Sequence, residues 1–127
     1  MTTGAMQSAT LAYVNIFITD FQRSLAFYRD TLGFEVVTED EAFGYASFAT
    51  SGAMLAIARV EADQASLAGR HTGIGWTVAD VDESYQAMQA DGVEFEMPPE
   101  QQPWGGYMAI FKDPDGNLFY LDQAAAS

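Results

Sequence analysis

Two stretches of the chain alternate apolar and polar positions and then switch to a helical spacing. In the first, Val14, Ile16 and Ile18 alternate with Tyr13, Asn15, Phe17 and Thr19, the two-residue period of a strand. Phe21, Leu25, Tyr28 and Leu32 then recur at helical spacing. In the second, Ile74, Trp76 and Val78 alternate with Gly73, Gly75 and Thr77, and Val81, Tyr85 and Met88 follow at helical spacing. Asp20 and Asp80 stand where each helix needs an N-cap. Glu83, three residues after Asp80, matches a capping box. Gly33 and Gly92 stand where a left-handed cap ends the helix. Asp20 matches Asp80, Ser24 matches Ser84, and Gly33 matches Gly92 after a one-residue deletion.

Short strands complete each half. Residues 43–49 and 53–59 flank Thr50-Ser51-Gly52, and residues 106–112 and 117–122 flank Asp113-Pro114-Asp115-Gly116. Proline followed by Asp-Gly is strong turn chemistry. The prolines Pro98, Pro99 and Pro103 make residues 97–105 read as a long loop. The reading is therefore α+β: two tandem β-α-β-β-β modules forming a cupped, mostly antiparallel sheet. The expected organisation is a single domain over 1–127, with modules at 11–59 and 73–123 and a linker at 60–72.

Alternation also predicts which face meets the helices. Val14, Ile16, Ile18, Leu55, Ile57, Ile74, Trp76, Val78, Phe119 and Leu121 should pack there. That leaves Tyr13, Asn15, Phe17, Met54, Ala56, Gly73, Gly75, Tyr120 and Asp122 on the opposite face. This second set is aromatic, small and mildly polar, a mixture that suits a ligand pocket better than a core. Asn15 is read as a buried polar group that needs a partner. Met54 and Met108 suit an adaptable pocket.

Composition narrows the function classes. Eighteen acidic residues stand against five basic ones, for a net charge of −13. Such a field opposes nucleic acid and anionic membrane and favours a cationic ligand. The absence of cysteine removes thiolate chemistry and fits a cytoplasmic protein. No run approaches the ~18 apolar residues of a membrane span, and residues 1–10 lack the marks of a secretion signal. Ser47 and Ser51 have no histidine near them in sequence to suggest a triad. Asp122 or Glu96 would act as a general base only if a pocket raised its pKa.

The runs "TDFQRSLAFYRDTLGFEVV" and "FKDPDGNLFYLDQ" resemble the vicinal-oxygen-chelate superfamily of glyoxalases, extradiol dioxygenases and bleomycin-resistance proteins. The resemblance spans roughly residues 11–123. Enzymes of that superfamily hold a metal at four places, which correspond here to Tyr13, Ala56, Gly73 and Tyr120. None is histidine, glutamine or glutamate, so neither metal nor cofactor is expected. The lone His71 falls in the linker, two residues before one of those places, and reads as a surface residue. The run "PEQQPWGGYMAIFKDPDGN" is similar to the metal-free bleomycin-type proteins, which sequester a bulky cationic antibiotic unaltered. That resemblance implies groove positions for Trp104 and for Phe43, which follows Glu39-Asp40-Glu41, and a homodimer whose grooves use both chains.

The resulting expectation is a metal-independent binding protein for a hydrophobic, cationic, aromatic small molecule, as in antibiotic resistance. Its expected lining is Tyr13, Asn15, Phe43, Phe48, Met54, Trp104, Tyr107, Met108 and Tyr120. One alternative is an enzyme of the same superfamily, an isomerase or lyase using Tyr13, Tyr120 or an acid for proton transfer. Another is an accessory protein whose cavity is filled.

Overall fold

The computed structural model describes residues 4–124. The elements run β1 (Tyr13–Ile18), α1 (Phe21–Ala26) with a π-helical turn (Phe27–Thr31), β2 (Glu35–Asp40), β3 (Tyr45–Ala49) and β4 (Met54–Arg59). A short 3-10 segment (Ala62–Leu67) leads to β5 (His71–Val78), α2 (Val81–Ala90), β6 (Glu94–Gln101), β7 (Tyr107–Lys112) and β8 (Leu118–Gln123). The cupped sheet is built as two four-stranded sheets, one per half, ordered β1-β4-β3-β2 and β5-β8-β7-β6. In each half the first and last strands pair in parallel and the rest pair antiparallel.

The helices start where the aspartates dictate. The Asp20 carboxylate accepts from Arg23 N at 3.1 Å, and Asp80 accepts from Glu83 N at 3.1 Å. The extra residue of the first half is absorbed in the π-helical turn, where Leu32 N donates to Phe27 O at 2.8 Å. Gly33 and Gly92 take φ of 83° and 90°, which their side-chain-bearing neighbours would resist.

Both halves turn their helix-facing sides to one shared core. Ile18, Leu25, Phe48, Ile57, Phe111 and Phe119 are all buried in it, each contributing roughly 1.5–3 kcal/mol. Aromatic contacts bridge the halves: Tyr28 meets Phe119 at 6.3 Å between ring centroids, and Phe34 meets Trp76 at 5.0 Å. Trp76, expected in the core, is only half-buried; its other flank borders open cavities.

The Asp113–Asn117 turn ties the halves together. Asn117 Nδ2 donates to Phe17 O at 2.9 Å, and its Oδ1 accepts from Gly69 N and Arg70 N. Asp115 accepts from Thr19 N at 3.2 Å and lies 3.5 Å from Arg23.

One expectation fails outright. Residues 97–105 are not a long loop, because β6 continues to Gln101 and only the turn beyond it is irregular. β6 is an edge strand, where a missing proline N–H costs no ladder bond. The register slips between Met97 and Glu100, across Pro98-Pro99.

Candidate functional site

Because the helix-facing sides share the core, the opposite faces of both sheets point outward. On the second sheet, Tyr120 and Asp122 of β8 pair with Ile110 and Met108 of β7, so these side chains share that outward face. Trp104 stands above them. The turn carrying it is closed by Gln102 N to Gly106 O at 2.6 Å and Gly105 N to Gln102 O at 2.9 Å. The Gln101 side chain braces it further, donating to Gly105 O at 2.9 Å. Gly105 has φ of 99°. A Cβ on Gly106 would lie 2.7 Å from Trp104 Nε1, so the indole rests directly on glycine backbone. The ring is nevertheless 74% exposed. Trp104, Met108, Tyr120 and Asp122 together line a depression of about 210 Å3. Gly75 makes room for the acid there, since a Cβ on it would meet Asp122 Oδ2 at 2.9 Å.

His71 belongs to the same face and is not among the expected lining residues. Its ring lies 4.7 Å from that of Tyr120. A bulge in β5 places it there: the pairing with β8 shifts between His71 and Gly75, and Gly73 takes φ of 74°. Gly73 N donates to His71 Nδ1 at 3.0 Å, and Thr72 Oγ1 donates to Leu118 O at 2.6 Å. The shared parity of 71, 73, 75 and 77 carries that signal, but the expected linker at 60–72 covers the first residues of β5.

The first sheet presents Tyr13, Asn15 and Met54 on its outward face, with Tyr13 opposite Met54 and Asn15 opposite Ala56. Tyr13 is 60% exposed. Asn15 is exposed rather than buried, so water satisfies it and no internal partner is required. Phe43 sits on the β2–β3 turn, 80% exposed. Its N–H donates to Asp40 Oδ1 at 3.2 Å, and Arg59 Nη2 donates to Ala42 O at 3.3 Å, pinning the turn.

Two expected lining residues are corrected. Phe48 pairs with Leu55 on the helix-facing side and is fully buried against Tyr28 at 5.8 Å; the insertion between the halves had obscured its parity. Tyr107 lies on the side of Ala109 and Phe111, against the helix, and its hydroxyl donates to Asp82 Oδ1. That bond holds the Tyr107 phenol above its usual pKa. The remaining seven stay on outward faces or turns, divided between the two sheets.

The four superfamily metal positions do not suit a divalent ion here. Ala56 and Gly73 supply no donor atom, Gly73 is locked in a bulge, and neutral tyrosines are poor ligands. Among the described residues no three His, Cys, Asp or Glu side chains cluster to replace them. No helix among them is long and apolar enough to cross a membrane.

Comparison with known proteins agrees with this architecture. The model of the Glyoxalase/Bleomycin resistance protein/Dioxygenase superfamily matches residues 10–121. A solved member of that superfamily from Sphaerobacter thermophilus is 31% identical, with a TM-score of 0.78 over 91% of this chain and 98% of its own. TnmS3, an antibiotic binding protein from a Streptomyces species, is 27% identical, with a TM-score of 0.74 over 94% and 99% of the two chains. The uncharacterised Bacillus subtilis protein YraH is 28% identical over 122 residues, covering 87% of this chain and 95% of its own.

Proposed function

The chain belongs to the glyoxalase/bleomycin resistance protein/dioxygenase superfamily, and from that membership we propose that it binds a small molecule without a metal and without altering it. The observation that carries the reading is the exposed Trp104 indole over Tyr120, Met108 and Asp122. An aromatic platform beside a carboxylate suits a planar cation, which stacks on the ring and pairs with the acid. The −13 net charge draws such a ligand in. The likeness to an antibiotic binding protein supports a small-molecule ligand.

The groove is proposed to be completed by a second copy of the chain. Tyr13, Asn15 and Met54 lie on the first sheet with Phe43 on its β2–β3 turn, and Met108 and Tyr120 lie on the second with Trp104 on its β6–β7 turn. In a two-fold homodimer the first sheet of one copy faces the second sheet of its partner, and all seven residues then share a groove. Exposed apolar side chains at Tyr13, Leu11 and Phe43 give that contact its driving force.

The test is equilibrium dialysis against bleomycin and a panel of cationic aromatic compounds, with the bound compound recovered and compared with the input by chromatography and mass spectrometry. Saturable uptake with unchanged mass and retention supports sequestration. A recovered compound with altered mass or retention overturns it.

One observation favours a second reading, an isomerase or lyase. His71, Tyr120 and Asp122 share one face, with the His71 and Tyr120 rings 4.7 Å apart, and such a set is able to move a proton. In that case the recovered compound is changed, in retention for an isomerase or in mass for a lyase, and Tyr120→Phe abolishes the change while binding persists.

A further inference from the structure

The two halves fill the space beneath their helices differently. In the first half, Phe27 and Tyr28 occupy it, and Tyr28 is fully buried. With Asp20 aligned to Asp80, their counterparts in α2 are Ala87 and Met88, of which Met88 is only partly buried. The volume that Phe27 supplies in one half has no equivalent in the other. A cavity of about 370 Å3 lies there, walled by Phe34, Trp76, Met88, Phe111 and Leu121, with Ser84, Ala87 and the exposed Asp91 on its α2 side.

The cavity is separate from the Trp104 face. Phe111 and Leu121 point to the helix side of their sheet, whereas Met108, Tyr120 and Asp122 point to the other. Its size matters: an apolar cavity of about 150 Å3 already holds benzene, and ligand pockets begin near about 300 Å3. Its chemistry selects the occupant. Aromatic and aliphatic walls take a ring, while the Asp91 carboxylate and the net charge of −13 exclude anions and favour an ammonium group.

We propose that this cavity between α2 and the shared core is a second binding site, for a small aromatic amine. Two features set it apart from a packing defect. It arises at a specific difference between two otherwise matching halves, and its charged side chain is an acid at the rim rather than within the apolar walls.

The test uses Trp104→Phe, in which Trp76 is the remaining one of the two tryptophans. Benzylamine and benzoate are titrated while Trp76 emission is followed. Benzylamine should shift the emission saturably and benzoate should not. Ala87→Phe, which restores the ring that Phe27 supplies in the first half, should weaken the benzylamine response by about ten-fold or more. Ser84→Leu narrows the same cavity from the neighbouring turn of α2 and serves if Ala87→Phe loses its cooperative melting transition. A flat benzylamine titration overturns the proposal. So does an equal response to benzoate, or a response unaffected by narrowing the cavity.

Discussion

The Tyr28 hydroxyl donates a 2.7 Å hydrogen bond to Asp113 Oδ2, joining the first helix to a turn 85 residues away. The same carboxylate accepts from Asn117 Nδ2 at 2.8 Å, and its other oxygen accepts from the N–H groups of Asp115 and Asn117, both at 2.9 Å. Four donors thus converge on one buried acid at the seam between the halves. Tyr28→Phe keeps the ring but removes one donor. It should cost about 1–3 kcal/mol, read as a lower urea midpoint with an unchanged slope.

Burial pushes the Asp113 carboxyl above its ordinary value of 3.8, and the hydrogen bonds from Asn117 and Tyr28 only partly offset this. The protonated form is therefore favoured more in the folded chain than in the unfolded one. This group's contribution is fully present below the ordinary carboxylate value and is lost as pH rises through the raised folded one. Thermal midpoints of the native chain and Asp113→Asn, measured from about pH 3 to pH 7, should converge at the acidic end. The native chain should lose more stability toward neutrality. Parallel curves would contradict this.

Core and site separate by stability. Phe48→Ala should destabilise the chain by about 3–5 kcal/mol, because it empties a fully buried position. Trp104→Ala should stay within about 0.5 kcal/mol, because its ring is exposed. Urea unfolding of both variants checks the pair.

Gly106→Ala should act on Trp104 without touching it chemically. The added methyl would lie 2.7 Å from Trp104 Nε1, so the ring must leave its seat over the depression. Ligand affinity should fall nearly as far as in Trp104→Ala, with the melting midpoint almost unchanged.

Tyr13→Arg tests the proposed dimer. A charge placed on the outward face of the first sheet should shift sedimentation toward monomer and weaken ligand binding together. Loss of neither would leave each chain as a complete binding unit.

Much of the fold was legible because it rests on local chemistry. Strand alternation, the aspartate caps and the closing glycines act within a few residues, and the repeat doubled each signal. The site was legible only where parity was secure. Tyr13, Asn15, Met54 and Tyr120 lie on the expected face. Phe48 did not, because the insertion between the halves hid its register. Tyr107 did not, because it precedes Met108 in β7 and consecutive strand residues point to opposite faces. His71 was hidden because the expected linker at 60–72 covered the first residues of β5, which begins at His71. Residues 97–105 misled because prolines argue for loop, and only the sheet order reveals β6 as a tolerant edge.

The most direct test of the central claim is a fluorescence titration of the native chain and Trp104→Ala with bleomycin and related cationic aromatic compounds. The account requires a saturable change for at least one compound near about 1 μM, roughly −8 kcal/mol, that weakens sharply in Trp104→Ala. A flat response across the panel, or equal affinity in native and variant chains, would contradict it.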